Sequence, residues 1–417
     1  MGILMALFAV DVEAARVLVE TMSTNITLRK YIVACVDKAV SEGQAELVRF
    51  LLDNPKIAKG VTRESLAVYL QIAARRGHAA TATTLLQFAQ TAQLLASLPI
   101  AGVVASIRKN PAMTHAGVLW PIDLASEDMH VRDACRAQVL QSIRTLNPEC
   151  KQLSMQSNWH GEDLKLSAMG IRQLPASFGN VTVGRDLSLN NNQLASLPAS
   201  FGGVTVGGSL WLSHNHLESL PESFGGVAVG GYLGLSFNKL ASLPESFADV
   251  TVKGDLWLNH NQLQSLPESF GNVTVGGDLW LNHNQLQSLP ESFGNVTVGE
   301  NLKLDNNKLQ SLPESFGNVT VGGDLWLNHN QLQSLPESFG NVTVGENLKL
   351  DNNKLQSLPE SFGNVTVGGD LVLDVNKLVS LPEGFADVTV KGDLWLNHNQ
   401  LQSLPASFGN VEGSVME

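Results

Sequence analysis

The chain has 417 residues, of which 43% are hydrophobic, and a formal net charge of −12. These values are typical of a folded soluble protein with two or three domains. The charge is uneven, at about +2 for residues 1–150 and about −14 for residues 151–417. Such an acidic C-terminal part disfavours nucleic acid and anionic membrane surfaces and favours a basic partner. The alternative is that the charge only keeps a long surface soluble.

The spacing of the cysteines and the lack of a recognisable secretory signal both favour a cytoplasmic location. Three cysteines, Cys35, Cys135 and Cys150, lack the paired spacing of a disulfide framework and therefore indicate a reducing compartment. The apolar start, residues 1–10, has no basic leader, which disfavours a secretory signal. No apolar run is long enough to span a bilayer.

Residues 1–110 have apolar residues at helical spacing and a weak internal repeat. Residues 12–20 match residues 45–53 at an offset of 33, and residues 39–44 match residues 73–78 at an offset of 34. This segment resembles divergent ankyrin repeats, whose second helix often reads G-x-x-E-x-V-x-x-L-L. Since the T-P-L-H sequence of their first helix is missing, a generic helical bundle remains the alternative.

Residues 111–149 are predicted to be a connector followed by a capping helix. Pro111 and Pro121 interrupt helices, and residues 132–146 then place apolar side chains on one helical face. This helix directly precedes the first repeat of the next segment. The hydrophobic core of that repeat would be exposed to solvent at its N-terminal end without a covering element. We therefore interpret it as the N-terminal cap of that segment.

Residues 150–417 contain eleven uninterrupted copies of a 23-residue unit with the pattern L-x-L-x-x-N-x-L. Columns of Phe, Pro and Asn keep the same period. A constant period of this length predicts a solenoid, in which neighbouring units stack to bury a common core. The first Leu of the pattern recurs at Leu164, Leu187, Leu210, Leu233, Leu256, Leu279, Leu302, Leu325, Leu348, Leu371 and Leu394.

Each column of the unit has a predicted role. Side chains alternate along a strand, so Leu279 and Leu281 should point inward and Trp280 outward. Asn284 should satisfy backbone groups at the turn, and stacking should align such asparagines in a ladder. Phe293 should enter the same core from another wall of the coil.

The unit resembles the leucine-rich repeats of intracellular scaffold proteins, including the plant Ras-group-related type with its L-P-x-x-F segment, over about residues 150–410. The resemblance implies an α/β fold, a right-handed solenoid with a parallel concave sheet, and partner binding. One departure is Gly276, where these repeats usually have a Leu, and we expect Val275 to reach the core instead. No capping helix follows Phe408, so we expect the last coil to fray.

Residues 23 apart become neighbours at about 4.8 Å when parallel strands stack, so sequence columns become surface stripes. The outward column carries tryptophans, which are enriched at binding hot spots, and Lys303 and Lys349 interrupt it. Duplication of one tolerated unit is the alternative explanation. The candidate partner-binding residues are Trp211, Trp257, Trp280, Trp326, Trp395, Asp255, Asp278, Asp324, His260, His283, His329, Lys303 and Lys349.

These columns predict a non-enzymatic scaffold that binds a protein through its concave face. The alternative is a surface or secreted protein that recognises glycan or other ligands through its Trp and Asn columns. A third hypothesis is an enzyme or ligase subunit whose chemistry resides in residues 1–150. Alanine substitutions of Cys35 and Cys135 would test a thiol mechanism.

Catalytic and cofactor motifs are missing from the sequence. It has no P-loop, G-x-S-x-G, kinase set or H-E-x-x-H, so we expect neither catalysis nor a cofactor. The His column offers two neighbours where Zn²⁺ needs three or four ligands, so we expect no metal site. A pH-sensitive surface is the better prediction for stacked imidazoles.

Overall fold

The computed structural model describes residues 36–53 except 38, residues 58, 61–91, 100–110, 112–113, 116 and 118, and residues 129–403, 408 and 410–417. The chain divides into two compact units, Met1–Ser126 and Glu127–Glu417. Cys35, the repeat copy at residues 12–20, Pro111 and Pro121 lie outside the described residues. The predicted boundaries at residues 110 and 149 stay predictions.

The described residues of the first unit form helices. Leu47, Leu66, Leu70 and Leu85 belong to its buried core. A capping box between Thr62 and Ser65 starts the second helix. The helices with complete bounds are α1 (Ala45–Asp53), α2 (Arg63–Arg76), α3 (Ala79–Thr91) and α4 (Ile100–Arg108).

The internal sequence repeat of this unit is also a structural repeat. Gly43 and Gly77, 34 residues apart, both adopt a left-handed conformation, with φ of 79° and 76°. After each glycine, the next backbone amide donates to the carbonyl oxygen five residues earlier, at N···O distances of 2.9 and 3.0 Å. Assignment to the ankyrin class remains a prediction.

Two helices open the second unit, α5 (Met129–Leu146) and α6 (Met155–Asn158). The Arg136 guanidinium of α5 donates to the Gly161 carbonyl oxygen at 2.9 Å and lies 4.7 Å from the Trp159 ring centroid. Asn147, directly after α5, accepts from the amides of Arg172 and Gln173 at 2.8 and 3.1 Å. These contacts attach α5 to the first repeat.

The repeat strands build a first sheet, in which Cα partners are 23 residues apart, as in Leu256↔Leu279. We number its turns, or rungs, from rung 1 at Leu164 to rung 11 at Leu394. All pairs are parallel except the first. Within the described residues its thirteen strands are Trp159–His160, Asp163–Lys165, Leu187–Ser188, Leu210–Trp211, Leu233–Gly234, Leu256–Trp257, Leu279–Trp280, Leu302–Lys303, Leu325–Trp326, Leu348–Lys349, Leu371–Val372, Leu394–Trp395 and Val415–Met416.

A second parallel sheet forms on another wall of the coil. Its strands follow short 3₁₀ turns such as Glu291–Asn295. In the described part of the chain it has eleven strands: Thr182–Val183, Thr205–Val206, Ala228–Val229, Thr251–Val252, Thr274–Val275, Thr297–Val298, Thr320–Val321, Thr343–Val344, Thr366–Val367, Thr389–Val390 and Asn410–Val411.

The core lies between the two sheets and agrees with the predicted alternation. Leu279 and Leu281 are fully buried, whereas Trp280 between them is half-buried. Val275 is 1% exposed, so it does take the core place of the missing Leu. Gly276 permits this because a Cβ there would come within 2.0 Å of the Lys253 carbonyl oxygen. Phe293 is buried in a stack of parallel rings, 6.1 Å from Phe270.

The predicted asparagine ladder is present. The Asn284 side-chain amide donates to the carbonyl oxygens of Leu258 and Leu281, both at 3.0 Å. Its oxygen accepts from the Leu263 amide at 3.1 Å. Each buried ladder asparagine thus bonds to backbone groups of its own rung and of the preceding one, and those carbonyl oxygens accept from two neighbouring asparagines.

The residue before each ladder asparagine, and before Met169 at the same position of rung 1, has a positive φ, a feature that the sequence analysis missed. The values lie between 50° and 57° in the repeats. Asn and His tolerate this region better than most residues, whereas a β-branched residue there is an outlier. The positions are Ala168, Asn191, His214, Phe237, His260, His283, Asn306, His329, Asn352, Val375 and His398.

Residues 410–411 and 415–416 pair with the strands of the last repeat, so the expectation of fraying was wrong for these described residues. Val415–Met416 pairs in parallel with Leu394–Trp395, and Asn410–Val411 pairs with Thr389–Val390. The amide of Leu394 donates to the Ser414 carbonyl oxygen at 2.9 Å. A shortened twelfth rung therefore continues both sheets, because strand pairing needs backbone groups and not a complete repeat.

The 23-residue period, the parallel strands and the asparagine ladder identify the array as a leucine-rich-repeat solenoid, as predicted. Helices precede it, also as predicted. Among the helices of the described ranges, none combines the length and apolar character that crossing a lipid bilayer requires.

Candidate functional site

The tryptophans of the first sheet stack against one another. The ring centroids of Trp257 and Trp280 lie 5.1 Å apart, with 15° between the ring planes. Trp211 and Trp257 are two rungs apart, but their centroids come within 5.4 Å, tilted by 59°. Gly234 stands between them and adds no side chain. Of the five predicted outward indoles, those of Trp211, Trp257 and Trp280 therefore form a contiguous, half-buried stack.

Lys303 and Lys349 continue this row and do not interrupt it, contrary to the sequence analysis. The Lys303 ammonium lies 4.3 Å from the ring centroids of both Trp280 and Trp326, and that of Lys349 lies 4.4 Å from Trp326. These distances are those of cation–π contacts. We name Trp211, Trp257, Trp280, Lys303, Trp326 and Lys349 the aromatic ladder.

The indole N–H groups differ in their partners. The Nε1 of Trp280 donates to Asp278 Oδ2 at 3.0 Å. The Nε1 atoms of Trp257 and Trp326 are enclosed and have no hydrogen-bond partner in the described part of the chain. Trp395 lies apart from the aromatic ladder, because Val372 and Met416 are its neighbours in the sheet.

The aspartate column beside the aromatic ladder holds neighbouring rungs together. Asp255 Oδ1 accepts from the Asp278 amide at 3.0 Å, and Asp278 Oδ1 accepts from the Asn301 amide at 2.9 Å. Asp324 accepts in the same way from Asn347, also at 2.9 Å. One oxygen of each carboxylate is thus used inside the sheet, so these residues are structural as well as candidate contacts.

The histidine column occupies the left-handed positions before the ladder asparagines. His260 and His283 stack with centroids 4.2 Å apart, and Phe237 stacks between His214 and His260 at 4.3 and 4.2 Å. His329 instead has Asn306 and Asn352 at the same position of its neighbouring rungs.

Burial lowers the pKa of His260, and the charge of His283 lowers it further. Asp305 acts in the opposite direction, and His214 adds a smaller lowering effect. The surroundings of His260 therefore favour its neutral imidazole, and the pH sensitivity of this surface stays a prediction.

Rung 4 departs from the consensus in all four outward columns, which the sequence analysis did not use. It carries Tyr232, Gly234, Ser236 and Phe237 where rungs 5, 6, 8 and 11 carry Asp, Trp, Asn and His. Tyr232 and Phe237 are 44% and 43% exposed, and the Tyr232 ring lies 6.1 Å from that of Trp211. Rungs 7 and 9 also change all four columns, so the available signal was the pair of aromatic residues, Tyr232 and Phe237, in mostly polar columns.

Cys135 and Cys150 lie outside these columns and are buried. Burial raises the pKa of the Cys150 thiol, which disfavours a reactive thiolate. Within the described residues, no three His, Cys, Asp or Glu side chains are grouped so that they could hold a metal ion.

Comparisons with known proteins give structural likenesses alone. No protein-family model matches the sequence, and no curated protein matches it. A leucine-rich-repeat protein of Leptospira interrogans is 23% identical, with 55% of this chain and 70% of that chain covered and a TM-score of 0.31. The leucine-rich effector YopM of Yersinia pestis is 18% identical, with 72% and 98% covered and a TM-score of 0.34. A leucine-rich-repeat protein of Bacteroides thetaiotaomicron is 20% identical, with 58% and 31% covered and a TM-score of 0.42.

Proposed function

We propose that this chain is a non-enzymatic scaffold or adaptor that binds a protein partner through the first-sheet face, the face that the sequence predicts to be concave. The observation that supports the proposal most is the difference between the two sheets. The first sheet presents the aromatic ladder, whereas the outward residues of the second sheet are small, such as the exposed Thr274 and Thr297. Half-exposed tryptophans favour an interface on one face only.

The partner is a protein rather than a glycan in this proposal. Sugar rings bind aromatic residues by lying flat on them, but the ring faces of Trp257 and Trp280 cover each other. Lys303 covers the facing sides of Trp280 and Trp326. Ring edges and polar columns remain for contact, an arrangement that suits the mixed side chains of a protein surface.

The cytoplasmic location and the lack of catalysis belong to the same proposal. Three cysteines without the paired spacing of a disulfide framework fit a reducing compartment. The acidic repeat array disfavours nucleic acid, because phosphates and carboxylates repel each other.

A pull-down with the full chain as bait tests the proposal. We expect Trp257→Ala combined with Trp280→Ala to lose the captured protein, because it removes the stacked pair at the centre of the first-sheet face. Bound proteins from a lysate of the encoding organism would be identified by mass spectrometry. Circular dichroism would establish that the variant keeps its fold.

The matched control is Thr274→Ala combined with Thr297→Ala, which alters two exposed strand residues on the second sheet of neighbouring rungs. This variant should retain the captured protein. If capture depends on the threonines and not on the tryptophans, the interface lies on the second sheet and the proposal is refuted.

A further inference from the structure

The chain contains its own example of how the first-sheet face holds a positive charge. Lys303 enters between Trp280 and Trp326, which are two rungs apart, and its ammonium is equidistant from both rings at 4.3 Å. A cation between two indole faces is attracted by both ring quadrupoles, and partial burial strengthens that attraction. The spacing of alternate rungs therefore suits a tryptophan–cation–tryptophan arrangement.

Rung 4 has the same two walls but no cation of its own. Trp211 and Trp257 flank Gly234, as Trp280 and Trp326 flank Lys303. A Cβ at Gly234 would lie 2.9 Å from the Trp211 ring and 3.0 Å from Ser213 Oγ. That hydroxyl is enclosed and has no hydrogen-bond partner in the described part of the chain. The two indole rings close over Gly234, with their centroids 5.4 Å apart, and we call this closed position, bounded by Trp211, Ser213, Gly234 and Trp257, the rung-4 slot.

The charge around the rung-4 slot favours a cation. In rungs 3 to 6 the four outward columns carry two carboxylates, Asp255 and Asp278, and neither lysine nor arginine. In rungs 5 to 11 the same columns carry eight aspartates against two lysines. A basic segment would be attracted along the whole face, and the position between two tryptophans that has no side chain of its own would orient it.

We propose that the rung-4 slot receives a lysine or arginine side chain from a basic segment of the protein partner. This inference rests on the proposed function and specifies its partner. The incoming cation separates Trp211 from Trp257, reproduces the contact of Lys303, and donates to Ser213 Oγ. Arginine and lysine carry donors and no acceptors, so they match an acceptor that lacks a partner.

The test uses a synthetic peptide of alternating arginine and serine, twelve residues long, with the full chain. In an extended peptide every second side chain points to the same side, so all arginines can face the sheet. Isothermal titration calorimetry gives the affinity, and tryptophan fluorescence reports separation of the stacked indoles. A peptide of alternating glutamate and serine is the charge control.

Three variants distinguish the effect of occupying the slot from the effect of added positive charge on peptide binding. Gly234→Lys fills the slot as Lys303 fills its own position, and Gly234→Met fills it without adding charge. Val372→Lys adds the same charge on the same outward column in rung 10, away from the slot. Circular dichroism would check the fold of each variant.

We expect the arginine peptide to bind and both Gly234 variants to weaken it about tenfold or more, the loss that a partly enclosed cation–π contact predicts. Val372→Lys should change the affinity much less. No binding to the unmodified chain, equal binding of the glutamate peptide, or equal losses in all three variants would overturn the inference.

The outcome can be separated from that of the proposed function. If the pull-down depends on Trp257 and Trp280 but the peptide results fail, the face binds its partner without the rung-4 slot. If the peptide results hold but the pull-down fails, the slot binds cations without serving a protein interface.

Discussion

The imidazoles of His260 and His283 stack with their ring centroids 4.2 Å apart and 9° between their planes. Each ring extends from a residue in the left-handed conformation, so the turn geometry itself aligns them. Two protonated rings at this distance would repel each other, and this relationship leads to the first prediction.

The stability of the repeat array should fall as the pH falls below about 6.5. Burial and His283 hold the pKa of His260 below the value of 6.5 that it has when unfolded. The unfolded chain therefore takes up a proton before the folded chain does, and stability decreases from that pH downward. Urea unfolding at pH 7.5 and 5.0, followed by circular dichroism, would measure the decrease.

His260→Asn should reduce this pH dependence, because Asn already occupies the equivalent left-handed position at Asn306 and Asn352. His329→Asn is the matched control, since its rung neighbours are asparagines and no imidazole stacks on it. The explanation fails if both substitutions reduce the pH dependence equally.

Loss of one ladder asparagine should destabilise the array strongly. Asn284→Ala leaves the buried Leu263 amide without its partner. The carbonyl oxygens of Leu258 and Leu281 each lose one side-chain donor and keep a second one from a neighbouring ladder asparagine. A buried group left unpaired costs about 1–3 kcal/mol, so we expect a loss of that size in the free energy of unfolding. Asn282→Ala is the control, because Asn282 Oδ1 has no hydrogen-bond partner among the described residues; a comparable loss there would contradict the account.

Val375→Asn should stabilise the array. Val375 has a φ of 50°, which is strained for a β-branched residue, and its side chain is 44% exposed, so little packing is lost. We expect a gain of about 1 kcal/mol in the free energy of unfolding. Val379→Gln changes another exposed valine that lacks a positive φ. An equal gain from that variant would attribute the effect to surface hydrophobicity.

Truncation of one core leucine should lower the unfolding midpoint. Leu302 is fully buried in rung 7, and Leu302→Ala removes apolar contacts and leaves a cavity in a tightly packed interior. The expected cost is about 2–5 kcal/mol in the free energy of unfolding. Denaturant unfolding would measure it, and an unchanged midpoint would show that neighbouring rungs collapse into the space.

The sequence by itself determined the repeat class, the inward leucines, the asparagine ladder and the outward position of Trp280. These features follow from alternation within one strand and from a period that never varies, so they need only local geometry. It also placed Val275 in the core. It missed the left-handed residue before each asparagine, because several residue types fill that position and no glycine marks it.

Only the tertiary structure decided how the outward columns contact one another. Trp211 and Trp257 are 46 residues apart in sequence and meet because Gly234 leaves room between them. Lys303 lies between two indole rings, and one carboxylate oxygen of Asp278 accepts a hydrogen bond from a backbone amide of the next rung. Such contacts depend on side-chain rotamers and on the close spacing of stacked rungs, neither of which a pattern along the chain specifies.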